Sequence, residues 1–210
     1  MPVESFSKTR RRRRDFPPLQ RLYQVSESHC GPAVLQILLA RLGIEVDQDR
    51  LTELAGARES IETHGTRVDQ LALAVRRLAG GVRFWFKDHA TVEELVAVVS
   101  RYHYPAGVEW QGLFEDREED EDAEADYGHY SIVTAIDRRR GLVRIQDPYK
   151  AFYTQDRVFS ISWFAARWWD TNEILDPASG QPRVVEDYHA MFIVTPPRVR
   201  FPLLLGMKEI

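Results

Sequence analysis

The sequence predicts an α+β fold in which N-terminal helices pack on a C-terminal antiparallel β-sheet. Three observations carry this reading. Helical patterns occupy the first eighty residues before any convincing strand, period-two alternation dominates from Val82 onward, and a polar turn, Asp137-Arg-Arg-Arg-Gly141, joins two such alternating runs as a hairpin. With 210 residues, 44% of them hydrophobic, the chain is long enough to bury a sizeable core.

The first helix follows Ser28-His-Cys30-Gly-Pro32. Ala33 to Leu42 is apolar nearly all round, proline suits a first turn because its missing N–H has no helical partner there, and Gly43 supplies the stop. Cys30, the only cysteine, therefore sits at a helix N-terminus, where unpaired N–H groups and the helix dipole favour a thiolate, the nucleophilic form. A lone cysteine is also commonly a small buried hydrophobe, so position by itself leaves both roles open. Asp47 to Gly56 is a short helix with an acidic start and a glycine end. Thr66-Arg-Val-Asp69 offers a cap, followed by Val68, Leu71, Ala72, Val75 and Leu78 at helical spacing.

Val82, Phe84 and Phe86 form one face of a strand, and Thr91-Val-Glu-Glu94 is a capping box for a helix through Val99. Residues 104–110 read as a strand. His129 to Ile136 and Leu142 to Gln146 are the two arms of the hairpin, the second ending in Asp147-Pro148. Antiparallel pairing sets the start of one arm beside the end of the other, so His129 and Asp147 become neighbours although eighteen positions apart. Val158 to Ile161 reads as a further strand, Ser162 as the cap of a short helix carrying Trp163, Phe164, Trp168 and Trp169, and Ala190 to Val194 as a last strand. The tryptophans read as packing residues.

The net charge of −4 hides an asymmetry between the basic run Arg10 to Arg14 and the acidic stretch Glu115 to Asp126, each read as solvated. No aromatic residues are interleaved with the arginines, which argues against nucleic-acid binding and for a disordered arm over residues 1–18. One cysteine excludes an internal disulfide. No apolar signal segment and no run long enough to span a bilayer are evident, and the reading is a soluble cytoplasmic protein without a membrane span. His89, His103 and His189 lack partners at metal spacing, so neither a metal nor another cofactor is expected.

Acyl transfer by a cysteine needs a thiolate, a base that becomes the proton donor for the leaving amine, a group that orients the base, and donors for the oxyanion. Cys30, His129 and Asp147 fill the first three roles. Gln24 can place its amide N–H beside the Cys30 backbone N–H for the fourth. Asp137 is a rival orienter but lies in the turn, away from His129, and Asp176-Pro177 lies outside the hairpin.

Gln24, Ser28-His-Cys30-Gly-Pro-Ala33, Gly65-Thr66, Gly128-His129-Tyr-Ser-Ile-Val133 and Asp147-Pro148, in this order, resemble the papain-like cysteine peptidases best known as bacteriocin-processing, or double-glycine, endopeptidases. The resemblance implies a papain-like domain over residues 19–176 with an acidic insertion at 115–126, a C-terminal extension over 177–210, and cysteine-type hydrolysis of a peptide or protein substrate. It also implies Cys30 as nucleophile, His129 as general base and acid, Asp147 as orienter and Gln24 in the oxyanion hole. His64, Gly65, Thr66 and Gly128 are the expected substrate-binding residues. His29 stands where transporter-borne members carry aspartate, and neither a membrane span nor a phosphate-binding glycine loop is apparent, so a free-standing relative is expected. Two alternatives use the same cleft: a transpeptidase that passes the thioester to an amine, and a peptide-binding domain without turnover.

Overall fold

In a computed structural model of the chain, the described residues are 17–78, 81–112, 128–175 and 179–210. The arginine run, the acidic stretch and Asp176-Pro177 lie outside them.

Four helices come first. Helix α1 (Cys30–Ala40) is buried on almost every side, as its unbroken apolar sequence requires. Helix α2 (Gln48–Ala55) begins where the Asp47 carboxylate accepts from the Arg50 N–H at 2.7 Å and ends on Gly56 in the left-handed conformation, φ 71°. A single turn, α3 (Ile61–His64), precedes α4 (Val68–Arg77). The start of α4 differs from the expectation that Thr66 caps it. The N-cap is Arg67, whose N–H donates to the Gln70 side chain at 2.9 Å, and Thr66 is buried one position earlier, against α1.

Strand β1 (Arg83–Lys87) leads into α5 (Val92–Val96), which the Thr91–Glu94 capping box opens and a π-turn over Ala97–Arg101 extends. Strands β2 (Ala106–Gln111), β3 (Gly128–Asp137), β4 (Leu142–Gln146) and β5 (Arg157–Ser160) form an antiparallel meander. Gln111 pairs with Gly128, so the acidic stretch lies in the connection between β2 and β3. Helix α6 (Ile161–Ala166) is capped by Ser160 rather than Ser162: the Trp163 N–H donates to the Ser160 hydroxyl at 3.1 Å. Trp168 lies beyond this helix, fully buried, with its indole N–H on the Ala190 carbonyl at 2.8 Å.

Trp169 opens an unanticipated two-stranded ribbon, β6 (Trp169–Leu175) with β7 (Pro182–Tyr188). Its alternation is masked by polar residues on both faces. Strand β8 (Met191–Thr195), helix α7 (Phe201–Leu204) and strand β9 (Lys208–Glu209) complete the chain.

The main sheet has the order β5-β4-β3-β2-β8-β1-β9. Strand β8 lies between β2 and β1, and the last strand expected over Ala190 to Val194 is thus an interior strand of the main sheet. Helices α1, α2 and α4 cover one face, over Phe84, Tyr130, Ile132, Phe192 and Val194. The other face packs Trp85, Val108, Trp110, Ile145 and Ile193 under α5 and α6. Because both faces are covered, the central strands read as nearly continuous apolar runs, and the polar residues buried among them stand out.

Candidate active site

Cys30 opens α1, with His29 as the N-cap residue, and the thiol is partly exposed. The turn before it is held by Ser26, whose backbone carbonyl accepts from the His29 N–H at 3.2 Å and whose hydroxyl lies 2.6 Å from His29 Nδ1. Gly31 follows because nothing larger fits. A Cβ there would stand 2.2 Å from the Thr66 hydroxyl and 3.2 Å from the Tyr130 ring, so the loop before α4 and strand β3 both close on the helix start.

His129, the second residue of β3, is 2% exposed. Its Nε2 lies 2.8 Å from Asp147 Oδ1, and the Cys30 side chain is near enough to bear on its charge. Burial opposes a charge on the ring, but the Asp147 charge and hydrogen bond, with those of Cys30, prevail and push its pKa up to about 10.

Asp147 is wholly buried at the end of β4. Oδ1 also accepts from the Tyr149 N–H at 2.8 Å, and Oδ2 accepts from Arg157 Nη1 at 2.8 Å. Burial alone would raise its pKa. The charge and hydrogen bond of His129, then the Arg157 guanidinium and the Tyr149 N–H, reverse that and hold the carboxyl below its ordinary value. Arg157 is the residue that sequence reasoning missed. It is the first residue of β5, 4% exposed, donates from Nη1 to the Gly112 carbonyl at 2.7 Å, and stacks 4.0 Å from the Phe152 ring centroid. An arginine opening an alternating strand is ordinarily solvated, and nothing local marks this one as turned inward.

Gln24 is buried and tied to the same end of the sheet, its N–H donating to the Pro148 carbonyl at 2.8 Å. Nε2 donates to the Ser26 and Glu27 carbonyls, each at 2.9 Å, and Oε1 is buried without a partner among the described residues.

A groove of about 640 Å³ opens over Cys30. One wall is the α3–α4 region, including His64, Gly65, Thr66 and Arg67. The other comes from β2, β3 and β6 and includes Glu109, Gly128, Asp170 and Glu173. All four expected substrate-binding residues thus line the groove that holds Cys30. A second depression of about 750 Å³, between α5 and α6, includes His89 and His189 and lies apart from Cys30. Among the described residues no group of His, Cys, Asp and Glu is arranged to hold a metal ion, and no helix is long and apolar enough to cross a membrane.

A family model described as the Peptidase C39 like family matches residues 13–174. Among solved structures, the peptidase domain of Streptococcus ComA, a bi-functional ABC transporter involved in a quorum-sensing pathway, is similar at 18% identity and a TM-score of 0.53, over 83% of this chain and 96% of that one. A double glycine motif protease from an AMS/PCAT transporter, solved in complex with the leader peptide, is similar at 15% identity and a TM-score of 0.54, over 87% of this chain and 95% of that one. These likenesses establish the fold, papain-like α+β with the cysteine on an N-terminal helix. No curated protein matches the chain.

Proposed function

Because the chain belongs to the peptidase C39-like family, we propose that it is a cysteine peptidase that cleaves a peptide bond through a Cys30 thioester. The observation that carries this is the buried imidazole of His129, held by Asp147 and raised in pKa by Asp147 and Cys30, with Cys30 on an open groove. A peptide in that groove is supported by the leader peptide bound to the AMS/PCAT relative.

The chemistry follows from the geometry. His129 bears a proton at neutral pH, and the attacking form of Cys30 is its thiolate. The sulfur attacks the scissile carbonyl, and the Cys30 backbone N–H, one of those without a partner inside the helix, receives the oxyanion. Gln24 supplies a second donor by releasing one of its two carbonyl partners as that charge develops. His129 passes its proton to the leaving amine, the C–N bond breaks, and the thioester forms. His129 then takes a proton from water, whose oxygen attacks the thioester, and the acid and the thiolate are released. Asp147 stays ionised throughout and keeps the ring oriented.

The pH dependence of iodoacetamide alkylation, followed by intact mass, tests the pair in wild type and in His129→Ala. With one cysteine the labelled site is unambiguous. Fast labelling that persists well below neutral pH and disappears in the variant is expected. Labelling that rises only in alkali in both proteins overturns the proposal. A peptide library then reads turnover, which Cys30→Ala abolishes and Asp147→Asn lowers by about 10²–10⁴.

A further inference from the structure

Glu109 sits in the middle of β2, opposite Tyr130 of β3 and 2% exposed. A buried carboxylate is costly unless donors surround it. This one is poorly served. Among the described residues, Oε1 accepts only a long bond from Asn172 Nδ2, 3.4 Å, and Oε2 meets no donor in hydrogen-bond geometry. The Tyr130 hydroxyl beside it is also outside bonding geometry.

Two more carboxylates share its wall. Asp170 Oδ1 accepts from Gln111 Nε2 at 3.0 Å and packs so closely on Gly128 that a Cβ there would stand 2.2 Å away. Glu173 follows along β6 at the groove surface. Asn172 also donates to Asp187 at 2.8 Å, bringing a fourth acid behind the wall. The permanent cation on the facing wall, Arg67, is held by Asp69 through bonds of 3.0 and 2.8 Å. The groove beside the nucleophile is therefore lined on one side by carboxylates, the innermost of which has an oxygen without a donor.

We infer that this wall is a subsite for a positively charged side chain of the substrate, a lysine or arginine received by Glu109, Asp170 and Glu173 beside Cys30. The inference rests on the peptidase reading for the word substrate, while the subsite itself stands on the groove. An ammonium or guanidinium supplies the donors that Glu109 lacks, and low-dielectric walls of one sign concentrate such a cation. Burial, then the charge of Asp187, holds the Glu109 carboxyl up to about 7, with the polar groups of Tyr130, Asp170 and Asn172 acting the other way. Asp187 is in turn raised by burial, with Asp88 and Asp69 adding to the shift and Asn172 and Arg67 opposing it. The attraction accordingly strengthens as pH rises through neutrality.

Three methanethiosulfonates differing in charge test this on the full chain. Cys30 displaces methanesulfinate from each and forms a disulfide. The probes are the permanently cationic trimethylammonium-ethyl reagent, the neutral methyl reagent and the anionic sulfonatoethyl reagent, with rates referred to free cysteine. The cationic reagent should gain about tenfold over the neutral one in wild type. That ratio should rise with pH and collapse in Glu109→Gln and Asp170→Asn, both checked for folding by circular dichroism. Glu173→Gln, on the surface, should lower it in part and serves if either buried variant fails to fold.

A wild-type ratio equal to that of free cysteine, or one unmoved by the substitutions, overturns the subsite. Absolute rates report separately on the reactivity of Cys30, so a sluggish thiol with an intact charge preference would count against the peptidase reading alone. N-acetyl-arginine amide should protect Cys30 where glycinamide does not. Equal protection by glycinamide would assign the site to a chain amino terminus and overturn the side-chain assignment.

Discussion

Arg157 holds the oxygen of Asp147 that His129 leaves free: Nη1 lies 2.8 Å from Oδ2, and His129 Nε2 lies 2.8 Å from Oδ1. The carboxylate has no exposure to water, so among the described residues its charge is compensated by these groups and the Tyr149 N–H. Arg157 also donates to the Gly112 carbonyl, joining the end of β2 to the same carboxylate. Removing one partner of a buried pair leaves the other uncompensated, so Arg157→Met should cost about 3 kcal/mol in urea denaturation. Arg157→Lys keeps the charge but loses the planar fork and its stacking on Phe152, and should recover only part of that loss. A loss below about 0.5 kcal/mol for Arg157→Met would mean that the ion pair contributes nothing net.

Gly31 and Thr66 form a second contact that substitution can isolate. The clash of a Gly31 Cβ with the Thr66 hydroxyl is with a stiff β-branched side chain, which cannot swing away cheaply. Gly31→Ala should destabilise by about 1–3 kcal/mol and slow Cys30 alkylation, because the helix start must shift. Thr66→Ala removes the clashing oxygen. In the double variant the loss should be markedly smaller than the sum of the two single changes, a coupling that a mutant cycle measures directly.

The frame of this site was legible in the sequence where one local rule fixes one structure. Proline after cysteine set the start of α1, Asp47 and Gly56 bounded α2, and the Asp137–Gly141 turn set the hairpin that brings His129 to Asp147. What escaped depends on pairing at long range. Arg157 immediately precedes the predicted strand Val158 to Ile161 and carries no local sign of burial; the register of β4 and β5 brings it inward, opposite Ile145. Glu109 reads as the polar member of an alternating strand, yet β2 lies in the interior of the sheet and its outward face is covered by β6 and β7. The last residues seemed unattached because their strand inserts between β2 and β1, neighbours far away in sequence.

The His129–Asp147 pair should give stability a distinct pH window. His129 is raised above its unfolded value of 6.5, so its contribution is complete below that pH and is lost as pH climbs toward about 10. Asp147 is lowered, so its contribution is present above its unfolded value of 3.8 and fades as acid protonates it. The coupling between His129→Ala and Asp147→Asn, measured by urea denaturation, should thus be greatest near about pH 5.5 and fall away in alkali. A coupling that stays flat into alkali would contradict the charged pair.

Glu109 carries the opposite sign. Its carboxyl is raised from 4.5 to about 7, chiefly by burial, so the folded protein holds this proton more tightly than the unfolded chain does. Stability is then undiminished by Glu109 below its unfolded value, declines as pH rises between the two values, and remains reduced above the higher one. Glu109→Gln keeps the shape and removes the charge. It should leave stability in acid nearly unchanged and raise it by about 2 kcal/mol at mildly alkaline pH, where the wild type must bury an ionised carboxylate. Urea melts of the two proteins at both pH values measure this. A gain of equal size in acid would trace the effect to packing, whereas a gain confined to alkali would mean that the protein retains a destabilising charge beside its nucleophile, as a site that receives a cation requires.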